Sequence, residues 1–124
     1  MANRNFHRKQ ALDYEVKEIY LSAAIGASGA PTLDAQNSKG VLSISRSSAG
    51  LYVITLQDSY VRLMAGQVQL VTPAAENISV KVMLSDVVVA KTITVLCTAV
   101  GVATDPASGD TLVACFQLKN SSVP

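Results

Sequence analysis

The sequence has little of what most enzymes need. It contains no tryptophan and a single histidine, His7, and aromatic residues make up 5% of its 124 residues. One histidine without nearby cysteines or carboxylates cannot build a zinc site, and it gives a serine nucleophile only a poor base. Neither a GxSxG motif nor a glycine-rich phosphate loop occurs. We therefore predict no catalytic residues, no metal ligands and no cofactor, and a protein that is not an enzyme.

The nine acidic residues are scattered and fall mostly in predicted turns. This placement favours turn formation over a general acid and base pair. The segment DPASGD, residues 105–110, loosely resembles a calcium loop. It lacks the alternating acidic order and the closing glutamate of such loops, so we do not assign calcium to it.

Charge is also scarce. Charged residues make up 15% of the chain and its mean hydropathy is +0.32. Such a surface is typical of a protein whose apolar areas are covered by copies or partners, so we predict an oligomer or an assembly component. No run of 18 apolar residues occurs and no hydrophobic stretch follows the first basic residues. We expect no membrane span, no secretory signal and synthesis in a cytoplasm.

The basic residues are concentrated at the N-terminus. The first ten residues hold Arg4, Arg8 and Lys9 without an acid, although the net charge of the chain is only +1. Residues 1–14 show no periodicity, and we predict an extended basic arm before a single domain at residues 15–124; the alternative is a frayed terminus. Three bases make a weak contact with phosphates, so no specific nucleic acid partner is expected. Arg4, Arg8 and Lys9 are the predicted partner-contact residues.

Apolar residues alternate with polar ones along most of residues 16–118, which is typical of half-buried strands. The predicted strands are 16–24, 41–46, 51–57, 67–72, 78–84, 93–99 and 112–118, with a hairpin joining the second and third. Residues 58–66 predict one helical turn that stops at Gly66, and residues 86–90 (DVVVA) fit either a continued strand or an apolar loop. Residues 29–40 are predicted as a long loop. The fold class is therefore all-β, a single-domain antiparallel sandwich or jelly-roll-like barrel with an extended N-terminal arm.

The connection at residues 101–110 contains Pro106 and is predicted to be a hairpin tip between the last two strands. In the register that places the apolar residues of both strands on one face, Cys97 cannot lie opposite Cys115. Two cysteines in a chain without a signal more often serve as small buried side chains. We therefore predict free thiols that point to opposite faces.

Three stretches of the chain carry a resemblance to known proteins. They are GAPTLDAQNSKGVLSISRSSAGLYVITLQDSYVRLM, then SDVVVAKTITV with ATDPASGD, and finally QLKNSS, and the similarity runs from about Tyr20 to Ser122. In their residue composition and in the order of these segments along the chain, they resemble the small virion structural proteins of tailed bacteriophages.

The resemblance implies a non-enzymatic building block, and the chain's size suggests a capsid cement or decoration protein. Such a protein forms homotrimers on the outer shell and bridges capsomers of the major capsid protein, and its location is the virion. One alternative is a tail, neck or fibre component. Another, from a different class, is a ligand-binding or glycan-binding β module that uses residues 29–40 or 101–110 with Tyr20, Tyr52 or Tyr60.

Overall fold

The computed structural model describes residues 16–119, which form nine β-strands and one short 3-10 helix. The alternation of apolar and polar residues places each long strand half in and half out of the core. The strands are β1 (Val16–Ile25), β2 (Pro31–Leu33), β3 (Val41–Ser48), β4 (Leu51–Leu56), β5 (Arg62–Val71), β6 (Ser79–Asp86), β7 (Thr92–Ala99), β8 (Val102–Ala103) and β9 (Thr111–Lys119), and the 3-10 helix is Ala27–Gly29.

The strands form two antiparallel sheets packed face to face. Sheet A has the order β2-β1-β9-β5, and sheet B has the order β3-β4-β7-β6, with β8 paired to β7. The predicted all-β sandwich is confirmed. The hairpin of β3 and β4 is also present, with Ile44 opposite Ile54. Residues 29–40 are less irregular than predicted because β2 pairs with the end of β1 and Lys39 bridges to Tyr20.

The core consists of the inward side chains of both sheets. Its largest fully buried members are Tyr52 and Phe116, and most of the others are aliphatic. Burying one aliphatic side chain of this size contributes about 1.5 to 3 kcal/mol to the transfer free energy, so the many small contributions replace the missing aromatic ones. The alternation that predicted strands 93–99 and 112–118 thus also identified the residues that face the core.

The predicted helical turn at residues 58–66 is wrong, because strand β5 begins at Arg62 and pairs along its length with β9. A bulge at Met64 shifts the register between Leu63 and Ala65 and interrupts the alternation that would have indicated a strand. Gly66 lies within β5 beneath Phe116, where an added Cβ would lie 2.7 Å from Cδ1 of the ring. This glycine therefore makes room for the ring instead of ending a helix.

The predicted hairpin between the last two long strands is also wrong. β7 lies in sheet B and β9 in sheet A, so residues 104–110 cross from one sheet to the other. Both cysteines are free, as predicted: Cys97 faces the core and Cys115 is half-buried on β9. The reason differs from the predicted one, because the two strands are not neighbours at all.

The segment at residues 86–90 forms a turn rather than a continued strand. β6 ends at Asp86, and the next four residues form the turn into β7. A bulge at Met83 in β6 turns Leu84 away from the core, contrary to the predicted alternation, and leaves it 62% exposed.

The two ends of the sandwich carry different loops. The Asp105 end comprises residues 26–30, 49–50, 72–78 and 100–110. The Val88 end comprises residues 57–61 and 87–91. Val16 and Lys119, which are paired across β1 and β9, also lie at the Val88 end. The segments before Val16 and after Lys119 therefore join the body at the Val88 end.

Candidate interaction surfaces

At the Asp105 end, the carboxylate of Asp105 joins three separate loops. Arg46 donates two hydrogen bonds to it, from Nε to Oδ1 at 3.0 Å and from Nη2 to Oδ2 at 2.8 Å, and the main-chain N–H of Gly50 donates a third to Oδ1 at 2.8 Å. An added Cβ at Gly29 would lie 2.6 Å from Cγ of Asp105. Close backbone approach and a bidentate ion pair thus hold the β3–β4 hairpin against the crossover.

The same cluster shifts the pKa of its members. The hydrogen bonds from Arg46 lower the pKa of Asp105, and the bond to Asp105 raises the pKa of Arg46. Burial raises the pKa of Tyr52 to about 12, and its hydroxyl donates a hydrogen bond of 2.7 Å to the carbonyl of Gly29. Both charges of the ion pair and the tyrosine hydroxyl have hydrogen-bond partners within the chain. We call the group formed by Arg46, Gly50 and Asp105 the Asp105 clasp, because it holds the β3–β4 hairpin against the crossover.

A pair of carboxyl groups lies at the same end. Glu76, before β6, lies beside Asp110, which is 1% exposed and accepts a hydrogen bond of 3.1 Å at Oδ2 from the N–H of Ala107. Oε1 of Glu76 and Oδ1 of Asp110 are buried, and neither accepts a hydrogen bond from a donor group of the described residues. A hydrogen bond between two carboxyl groups requires a proton on one of them. This bond, together with burial and the charge of Asp110, raises the pKa of Glu76. A proton held between Glu76 and Asp110 would satisfy these oxygens and tie residues 72–78 to the crossover.

At the Val88 end, apolar side chains are exposed on a well-fixed turn. Val88 is 56% exposed and Val89 is 80% exposed, whereas the neighbouring Val87 is buried. Two hydrogen bonds hold the turn: Tyr60 N–H donates to the Val87 carbonyl at 2.8 Å, and Val89 N–H donates to the side-chain Oδ1 of Asp86 at 3.2 Å. The turn therefore presents two valines in a defined conformation.

The outer face of sheet B is almost free of charge. Paired residues of antiparallel strands share a face, so the fully buried pairs Ile54–Ile93 and Tyr52–Val95 identify the inward positions. The outward positions are Ser43, Ser45 and Ser48 on β3, Leu51, Val53 and Thr55 on β4, Thr92, Thr94, Leu96 and Thr98 on β7, and Ser79, Lys81, Leu84 and Asp86 on β6. The two charged side chains of this set both lie on the edge strand β6.

The outer face of sheet A is more polar. Glu18 accepts a hydrogen bond of 2.6 Å from the hydroxyl of Tyr20 and one of 2.9 Å from the amide of Gln117. Gln67 and Gln69 project from the same face, which has a shallow depression of about 320 Å³ beside Tyr20. Of the three tyrosines considered for ligand binding, Tyr52 and Tyr60 are buried and Tyr20 is exposed.

The predicted contact residues Arg4, Arg8 and Lys9 lie outside the described residues, as does the predicted arm. Among residues 16–119, no group of three or more potential metal-ligating side chains occurs, and no helix has the length and hydropathy to span a membrane. The run of valines left residues 86–90 open between a continued strand and an apolar loop, and sequence reasoning missed the Asp105 cluster. The signal for that cluster was weak, because Arg46 and Asp105 are 59 positions apart.

Comparison with protein-family models, with curated proteins and with solved structures found no match to this chain.

Proposed function

We propose that this chain is a non-enzymatic virion structural protein, a capsid cement or decoration protein that stabilises the outer shell of a tailed bacteriophage by bridging capsomers. Its partners are sister subunits in a homotrimer and the major capsid protein. The proposal starts from the resemblance described above. One structural observation supports it most: the exposed turn of Val88 and Val89 lies at the end of the sandwich where Val16 joins the segment that carries Arg4, Arg8 and Lys9.

An apolar turn, and a basic segment that is attached to the body at the same end, would together supply a two-part contact. The valines supply apolar area on a turn that is already fixed, so little conformational entropy is lost when a partner covers them. The basic residues supply attraction to an acidic shell surface and orient the approach. The opposite end uses its charges internally, through Arg46 and Asp105. We therefore place the capsid at the Val88 end.

The direct test is binding of the purified protein to empty capsids, together with its mass by light scattering. We expect an oligomer that binds capsids saturably. A monomer that does not bind capsids would overturn the proposal.

Removal of residues 1–14 tests the arm separately. The truncated chain should still fold and assemble, because the sandwich lies within residues 16–119, but its affinity for capsids should fall. The loss should be largest at low salt, where contacts between exposed charges are least screened. Unchanged affinity would remove Arg4, Arg8 and Lys9 from the contact.

The tail, neck or fibre alternative predicts a different copy number, since a cement protein occupies many equivalent shell positions and a tail component few. Quantitative mass spectrometry of purified particles separates the two. Among residues 16–119, the glycan-binding alternative has one exposed aromatic side chain to use, Tyr20, beside the depression on sheet A. A specific signal on a glycan array that is lost in Tyr20→Ala would favour that alternative over the cement function.

A further inference from the structure

We propose that the outer face of sheet B is buried against the same face of sister copies of this chain. The inference deepens the proposed function and rests on it for the stoichiometry of three, with the three faces enclosing the threefold axis. The first argument is charge. Buried interface cores are depleted in charged residues, and the central strands β4 and β7 present only Leu, Val and Thr outward.

The second argument is the hydrogen-bonding character of the face. Its polar side chains are mainly serine and threonine hydroxyls, and each hydroxyl can both donate and accept. A face of this kind is matched by a copy of itself, whereas a face of fixed charges would require a partner of opposite sign. Around a threefold axis each face meets two sister faces, and the hydroxyls on one side of it can pair with those on the other side of a neighbouring face, so sister copies are suitable partners.

The third argument is size. Four strands about 4.8 Å apart and about eight residues long cover roughly 500 Å². A standard interface buries about 800 Å² on each partner. Within this area, Leu42 on the edge strand β3 and Met83 with Leu84 on the edge strand β6 are exposed apolar side chains. The face therefore supplies more than half of the area of a standard interface, and the remainder would come from the loops that border it.

A matched pair of substitutions tests this surface. Leu84 is 62% exposed on β6, the edge strand of sheet B, and Val71 is 56% exposed on β5, the edge strand of sheet A. Leu84→Lys should weaken assembly by at least about tenfold, because it places three copies of a charge in an apolar contact. Val71→Lys should leave assembly unchanged. Mass is measured by light scattering over a range of concentrations, and circular dichroism confirms the fold.

A second variant on the opposite edge strand guards against local misfolding by Leu84→Lys. Ser45 is exposed on β3 and faces outward, so Ser45→Lys should also weaken assembly. If Val71→Lys dissociates the assembly as strongly as the two sheet B variants, or if neither sheet B variant affects it, the inference is overturned.

Thiol labelling gives an independent measurement. Cys97 is buried, whereas Cys115 is half-buried on the outer face of sheet A and serves as an internal reference. In Ser45→Cys, the new thiol should become protected as the protein assembles, and the labelling rate of Cys115 should not change. Protection of Cys115 alone would place the interface on sheet A and overturn the inference.

The outcomes also separate this inference from the proposed function. Wild-type protein that assembles through sheet B but does not bind capsids supports the interface and overturns the cement function. A dimer that Leu84→Lys dissociates supports the face and overturns the trimer. A wild-type chain that is monomeric at all concentrations overturns the interface, whatever its binding to capsids.

Discussion

At the Asp105 end of the sandwich, loops from distant parts of the chain are joined by charges and hydrogen bonds. The side chain of Arg46 and the N–H of Gly50 both donate to the carboxylate of Asp105, which lies in the crossover. At the Val88 end, the loops are held mainly by main-chain N–H donors, one of which bonds the side chain of Asp86, and valine side chains remain exposed. An exposed apolar turn does not stabilise the isolated subunit, whereas an internal clasp does. The difference suggests that one end serves the fold and the other serves contacts. Substitutions at the first end should therefore lower stability, and substitutions at the second should affect binding.

Gly50 should show the largest effect on stability. Its φ is +70°, and an added Cβ would lie 2.4 Å from the Cys97 carbonyl oxygen and 2.7 Å from the Thr104 nitrogen. Both contacts are backbone atoms, so Gly50→Ala should lower the free energy of unfolding by about 2 to 4 kcal/mol. Urea denaturation measures the loss.

Gly101→Ala is the matched control for this substitution. Gly101 has a φ of +78°, but an added Cβ would have no neighbour within 4 Å. It should cost only the conformational penalty of about 1 to 2 kcal/mol. Equal losses at the two glycines would show that the close packing around Gly50 contributes nothing.

Asp105→Ala should have the next largest effect. It leaves the N–H of Gly50 without its side-chain acceptor and releases Arg46, and a lost hydrogen bond to a charged group costs about 1 to 3 kcal/mol. Because the folded protein lowers the pKa of Asp105, its contribution is complete above the unfolded pKa and is lost as the pH falls through the folded pKa.

The control for Asp105→Ala is Asp34→Ala. Asp34 is a half-buried acid whose side-chain hydrogen bonds stay within its own turn, to Asn37 and Gln36. Its removal should change the urea midpoint much less. A loss as large as that of Asp105→Ala would contradict a special role for the clasp.

The Glu76–Asp110 pair should give a smaller effect with the opposite dependence on pH. The folded-state pKa of Glu76 is raised, so the protonated pair stabilises the fold fully below the unfolded pKa, and this contribution is lost as the pH rises through the folded pKa. Glu76→Gln can donate its amide to Asp110 without a titrating proton. Its stability relative to wild type should therefore increase as the pH rises above the ordinary range of a glutamate. Urea midpoints measured between about pH 4 and pH 8 would show this, and parallel curves would contradict the shared proton.

The local pattern of the chain predicts much of the sandwich but not its connections. Alternation identified β1, β4, β7 and β9 because each has one face in the core. It failed at the bulges at Met64 and Met83. At a bulge two residues of one strand lie opposite one residue of its partner, so the alternation of inward and outward side chains is interrupted.

The local alternation of apolar and polar residues does not determine which distant strands pair with each other. β7 and β9 are consecutive long strands, and the sequence favours a hairpin between them, yet each has better partners in its own sheet. The Asp105 clasp and the Glu76–Asp110 pair could not be predicted, since each joins residues far apart in the chain. The apolar turn at residues 87–90 was visible as a run of valines, and its exposure follows from the turn that Asp86 begins.

The contrast between the two ends is tested most directly by a double substitution at each. Val88→Ser with Val89→Ser removes the apolar pair at the Val88 end, and Val100→Ser with Val102→Ser removes a comparably exposed pair at the Asp105 end. Both variants should retain wild-type stability within about 0.5 kcal/mol. Binding to empty capsids should fall by at least about tenfold in the first variant and stay unchanged in the second. Equal binding by the two variants, or a loss confined to the second, would contradict the account.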